Sequence, residues 1–283
     1  MDNVSVLCFL ASYTLAAVFS FLRLRKATTG NRLLTLGLTG AGFVAHTMYL
    51  MVRSRNAELP PLMASSHDWL LVAAWVAVVC FLFLSMFDAE LPLGAFVLPA
   101  VLGLVVAARF VSLEPNALLT IEDARRGWVI LHTATLVFGM VGVLASLILA
   151  LMYLLQHRRL KLRQEGVHLP SLARLARWNR WAVVFSVPTL SLGMAAGILL
   201  GAKNPGESRD LLADPIVIGS GLGWIVMIIF FGWLTLRDRP AARQVALITI
   251  WACGFLLLTV VGLQVITGTG HSTGRAESPA RTS

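Results

Sequence analysis

The stretch WVILHTATLVFGMVGVLASLILALMYLL, residues 128–155, runs for 28 residues without a charged side chain. As a helix it rises about 42 Å at 1.5 Å per residue, more than the roughly 30 Å hydrocarbon core of a bilayer. It is therefore expected to tilt across a membrane or to project beyond it. Outward from this segment, apolar runs long enough to span occupy 4–22, 33–52, 69–87 and 92–111 on one side and 181–201, 215–236 and 245–266 on the other. The fold class that follows is all-α, a polytopic membrane helix bundle of about eight transmembrane helices. The first run is too long, and too poor in small-residue cleavage signals, for a removable leader, and is expected to stay as an anchor.

Composition agrees with a membrane fold. Of 283 residues, 57% are hydrophobic and 13% charged, where a soluble domain carries about 25% charged residues. The mean hydropathy of +0.78 excludes a soluble domain. Cys8, Cys80 and Cys253 each lie in an apolar run and have neither disulfide-framework nor metal-ligand spacing. A Cys-x-x-Cys-His element is absent from the sequence, so any haem would be held non-covalently. The net charge of +9 comes from residues placed between the apolar runs. That is the pattern of membrane topology, and no solvated basic domain is left to present to nucleic acid.

Charge also orients the chain. The loops after the first, third, fifth and seventh spans hold fourteen of the 23 Lys and Arg residues, and the opposite side holds nine. The excess lies mainly between Arg158 and Arg180. The positive-inside rule makes that loop cytoplasmic and turns both termini outward. Within it, Leu169, Leu172, Leu175 and Trp178 alternate with Arg174, Arg177 and Arg180, the pattern of a short amphipathic helix lying on lipid headgroups. The Gly-, Ser- and Thr-rich segment after Ile266 is expected to be a mobile outward tail, disordered over 273–283.

The middle of every span lacks a charged residue, which disfavours a proton pump or an ion-coupled transporter. Histidines are the polar groups that stand out. His46 falls in the outward half of the second span, His132 near the outward start of the fifth and His271 just beyond the outward end of the eighth. His67, His157 and His168 fall at interfaces or in loops. Neutral imidazole is a common axial ligand of haem iron. A histidine in an apolar helix, however, more often makes an interhelical hydrogen bond. Gly193, Gly197 and Gly201, and likewise Gly219 and Gly223, repeat every fourth residue, a spacing that lets helix backbones approach closely.

Several segments in order give the chain a family resemblance. Gly42-Phe43-Val44-Ala45-His46-Thr47 resembles the histidine-bearing second helix of the CcsA- and HemX-type cytochrome c assembly proteins. Leu93-Gly94-Ala95-Phe96-Val97-Leu98-Pro99 is similar to a helix opening in that family, and Trp128-Val129-Ile130-Leu131-His132, with the helix ending Tyr153-Leu154-Leu155-Gln156, to its first external haem-ligand region. Leu169-Pro170-Ser171-Leu172 resembles its cytoplasmic Leu-Pro-Ser-Leu segment, Asp214-Pro215 its Asp-Pro-Lys element, and Gly270-His271-Ser272 its terminal histidine element.

The resemblance implies a cytochrome c assembly-like membrane domain over 33–272, preceded by a first transmembrane helix and basic cytoplasmic loop over 1–32. It further implies bound haem, with His132 and His271 as axial ligands of the iron and His46 as a further cofactor-binding residue. Apocytochrome c and other assembly proteins would be the partners, in the inner membrane of a bacterial-type cell. The loop Ala202–Leu212 lacks the tryptophans of the family's haem lyases, Ile216 replaces the Lys of the Asp-Pro-Lys element, and Gly232 stands where lyases carry an intramembrane histidine. These departures place the chain nearer the HemX-like branch, and lyase activity is not carried over to it.

Two functional readings follow. One is a haem-binding or haem-delivery component of cytochrome c maturation. The other is a non-catalytic, HemX-like regulator of tetrapyrrole synthesis acting through its cytoplasmic loop. A small-molecule permease is a third and weaker reading.

Overall fold

The computed structural model describes residues 6–25, 28–57, 65–87, 92–111, 127–163, 169–203, 215–237 and 240–273, without the side chains of 201–203, 216 and 267–273. Among the described residues there are eight α-helices and no strand. In chain order they are α1 (Val6–Arg25), α2 (Thr29–Ala57), α3 (Ser66–Phe87), α4 (Gly94–Ala108), α5 (Gly127–Lys161), α6 (Leu172–Lys203), α7 (Pro215–Leu236) and α8 (Ala242–Thr273). Seven are long and apolar enough to cross a bilayer, which makes this a multi-pass membrane protein. Its outer surface is apolar as lipid contact requires, with Trp251 76% and Leu258 75% exposed.

Successive helices run antiparallel. The start of α4 meets the end of α1, where a Cβ on Gly94 would lie 2.6 Å from Ser20 Oγ. The end of α2 meets the start of α3 through Arg53 and Asp68. One buried cluster joins α1 to α4, built on Phe9, Tyr13, Leu70, Leu71 and Val101. Another joins α5 to α8, built on Val143, Val187, Met227, Leu234 and Cys253. A third, around Ile148, Met152, Tyr153 and Leu175, ties the two halves together at the basic end.

The most extensive helix contact is between α5 and α6. Glycines on both helices make it. A Cβ on Gly139 would sit 2.6 Å from Leu190 Cγ, and one on Gly142 would sit 2.8 Å from Ser186 Cβ. On the other side, a Cβ on Gly193 would meet Leu136 and Thr135 at 2.9 Å. Lipid tails are as apolar as leucine, so close van der Waals approach, and not water exclusion, holds such helices together. Gly219 and Gly223 do the same for α7 against Leu263, Thr259 and Leu256 of α8.

Three sequence expectations are corrected. The fourth span, read as 92–111, is a 15-residue helix from Gly94 to Ala108, about 22 Å long, which is short for the hydrocarbon core. The separate amphipathic helix on the headgroups does not form, because Ser171 caps α6 and the helix runs unbroken from Leu172 to Lys203. Its leucines turn inward, leaving Leu175 fully buried. The end of α8 extends through Thr273, so His271 lies in a helical turn and not in a tail. Residues 274–283 lie outside the described residues.

Two outcomes are expected. Gly142→Leu should weaken the α5–α6 contact by about 1–3 kcal/mol, seen as a lower midpoint in a denaturation series in detergent. In a chain without its native cysteines, Gly166→Cys should label only from the cytoplasm and Thr273→Cys from outside. Labelling of Gly166→Cys from outside intact cells would reverse the orientation.

Candidate functional site

The end of the bundle opposite the basic loop carries a connected set of polar groups. Helix α4 stops at Ala108, and a tightened last turn meets its terminal carbonyls, Arg109 N–H donating to Val106, Phe110 N–H to Ala107 and Val111 N–H, at 3.4 Å, to Ala108. His67, at the start of α3 and 2% exposed, donates Nδ1–H to the Ala108 carbonyl at 2.7 Å. That bond fixes the neutral tautomer, so Nε2 accepts from Tyr49 Oη at 3.3 Å. Beside it, Asp68 is fully buried and holds Arg53 in a two-pronged ion pair, Nε to Oδ1 at 3.0 Å and Nη2 to Oδ2 at 2.9 Å. Ser65 completes the arrangement: its Oγ donates to Asp68 Oδ2 at 2.8 Å and accepts the Asp68 N–H at 3.1 Å.

Sequence patterning puts His67 at an interface and does not single out Asp68, so this cluster emerges only in the folded chain. A signal was present. Ser65-x-x-Asp68 immediately before an apolar run is the signature of a reciprocally capped helix start.

Of the histidines expected at a haem site, His46 is fully buried between α1 and α2, stacked on Phe9 with ring centroids 4.3 Å apart at 4°. Its Nδ1 lies 3.3 Å from Tyr13 Oη, and its buried Nε2 has no hydrogen-bond partner. His132, on the first turns of α5, points into α6. Its Nδ1–H donates to the Gly193 carbonyl at 2.7 Å, and its ring lies on Gly197, where a Cβ would fall 2.6 Å from His132 Cε1. The glycines of α6 therefore make room for this imidazole as well as for a helix. A carbonyl only accepts, so Nδ1 carries a proton, and in the neutral ring the lone pair is then on Nε2. His271 is in the last turn of α8, and its side chain lies outside the described residues.

The structure does not bring His46 and His132 together: the ring partners of His46 are on α1 and those of His132 on α6. Among the described residues no group of three or more His, Cys, Asp or Glu is placed to hold a metal ion. His157 lies edge-on to Tyr153 at the basic end, and His168 is outside the described residues.

At the basic end, Arg174, Arg177 and Arg180 line the exposed face of α6, while Leu172, Leu175 and Trp178 pack inward. An apolar cleft of about 300 Å³ between α3, α4, α5 and α6 opens nearby, with Cys80, Phe81, Trp178 and Trp181 among its walls.

A substitution series tests the polar cluster. Arg53→Met leaves a buried carboxylate without its partner and should cost about 3 kcal/mol of stability. Adding Asp68→Asn should recover part of that loss, giving a coupling of about 0.5–3 kcal/mol in a double-mutant cycle by denaturation in detergent. Additive effects would mean that the pair does not act as a unit.

Among known proteins, the chain is 28% identical over 209 residues to Protein HemX of Brevibacillus brevis, a match covering 72% of this chain and 72% of that protein. No family model matches the chain. No solved structure matches it. The similarity to Protein HemX supports a HemX-like family for this chain.

Proposed function

We propose that this protein is a HemX-like membrane component of tetrapyrrole metabolism that regulates synthesis by engaging a cytoplasmic protein through the basic face of α6. The similarity to Protein HemX carries the reading. The α6 geometry supports it: Arg174 and Arg177 stand one turn apart on the exposed face, with their helix held from behind by buried Leu175. Such a row steers and docks an acidic surface. The cell membrane of a bacterial-type cell is the proposed location.

A second reading keeps haem as the ligand, for delivery in cytochrome c maturation with apocytochrome c and other assembly proteins as partners. One observation favours it. A histidine that donates Nδ1–H to a backbone carbonyl presents Nε2 as the ligating nitrogen, and His132 does this through Gly193. His132 and His271 would be the residues that hold the iron, since the start of α5 and the end of α8 share one end of the bundle. His46 would be a further contact. Haem would supply an iron centre whose ligation state these side chains set.

The two readings separate cleanly. Arg174→Glu/Arg177→Glu should abolish any effect of the protein on cellular porphyrin levels, and His132→Ala should leave that effect intact. Under the haem reading, protein purified in mild detergent shows a Soret band that His132→Ala shifts or removes and exogenous imidazole partly restores. Deleting residues 268–283 should then alter the band as well. An unchanged band after that deletion removes His271 from the site.

A further inference from the structure

Arg177 and Arg180 lie one helical turn apart on α6 and line a pocket of about 200 Å³ at the basic end of the bundle. Tyr153 of α5, Leu234 of α7, Pro240 and the first residues of α8 complete its walls. Among the described residues that line it there is no carboxylate.

Asn179 also lines the pocket and is 1% exposed. Its Nδ2–H donates to Thr249 Oγ1 at 3.2 Å. The Thr249 hydroxyl proton is already committed to the Val245 carbonyl at 2.8 Å. This chain of bonds fixes which way the amide faces and leaves Asn179 Oδ1, an acceptor, buried without a hydrogen-bond partner. A buried acceptor left without a hydrogen bond is costly, so a group that satisfies it binds with advantage.

We propose that this pocket binds a phosphate group that carries a hydrogen-bond donor, an amine or hydroxyl, a few bonds away. Two guanidinium groups one turn apart match the oxygens of a phosphate. The orphaned Asn179 oxygen requires a donor, which phosphoethanolamine has and phosphocholine lacks. The volume is below the roughly 300–1,000 Å³ of sites for drug-sized ligands and suits a headgroup, not a macrocycle. Two sources share this chemistry: a phosphatidylethanolamine headgroup in the adjoining leaflet, and a free phosphorylated amine. The pocket shares Arg177 with the proposed docking face, but phosphate binding is measured on the purified chain alone, so its failure is distinguishable from failure of the partner or haem reading.

The test titrates the full chain, delipidated in mild detergent, with short-chain phosphatidylethanolamine and phosphatidylcholine, and separately with soluble phosphoethanolamine and phosphocholine, followed by native mass spectrometry. The ethanolamine member of at least one pair should bind about tenfold tighter than its choline counterpart. A preference confined to the lipid pair identifies the bilayer as the source, and equal preference in the soluble pair identifies a free ligand. Arg177→Gln/Arg180→Gln should weaken phosphate binding at least about tenfold, while Arg174→Gln, outside the pocket, leaves it unchanged. Asn179→Leu should erase the ethanolamine preference but keep phosphate binding, and it decides the outcome if the double arginine variant does not purify as a single species. Equal binding of ethanolamine and choline probes to the native chain overturns the proposal. So does unchanged binding in the arginine variant, or a preference that survives Asn179→Leu.

Discussion

The close approach of α5 and α6 is the contact on which the rest of the bundle is arranged. In lipid, two apolar helices gain little from leaving solvent, so their affinity rests on how many atoms they bring within van der Waals range. Gly139 and Gly142 on one helix and Gly193 and Gly197 on the other remove the side chains that would hold the axes apart. The resulting pair is long, at 35 and 32 residues. Helices α3, α4 and α8 lean on α5, while α7 packs on α6 and α8. The same approach seats His132 against the Gly193 carbonyl. A candidate ligand geometry and a packing device are thus one feature.

Polar groups elsewhere follow the rule that hydrocarbon offers no hydrogen bonds. The carbonyls that end the short helix at Ala108 are met by the backbone N–H groups of Arg109, Phe110 and Val111, and His67 adds a shorter bond to the last of them. The bidentate Arg53–Asp68 pair keeps charge at helix ends, where Arg53 remains 27% exposed on its side chain and Asp68 is fully buried. Thr and Ser side chains along the spans turn back onto their own helix carbonyls, as Thr39 does to Thr35 and Ser191 to Val187. Against this background of satisfied groups, His46 Nε2 and Asn179 Oδ1 are among the few buried side-chain atoms of the described residues without partners. One lies in the half of the bundle made by α1 to α4, and the other belongs to a residue that lines the arginine-walled pocket.

The number, order and approximate limits of the helices were legible in the sequence because the bilayer imposes a length and an apolar composition that any span must show. The excess length of the segment after Trp128 was visible for the same reason, as were the glycine repeats, whose packing role the contacts of Gly193 and Gly219 bear out. The inward turn of Leu172 and Leu175 was not. Their three-residue spacing beside arginines is equally that of a helix lying on a surface and of the first turns of a span, and only the neighbouring Tyr153 and Met152 decide between them. Asp68 was hidden because its partner Arg53 is reached across a hairpin, and charge pairing between helices leaves no trace in local periodicity. His132, by contrast, was found as a residue, but its proton position required the Gly193 carbonyl, 61 residues away. Which segments enter the membrane can be read from the chain alone, since transfer into lipid is a property of each segment by itself. Which polar atoms meet and which remain unpaired is settled only once the helices pack, because hydrogen bonding depends on distances between helices that no single segment encodes.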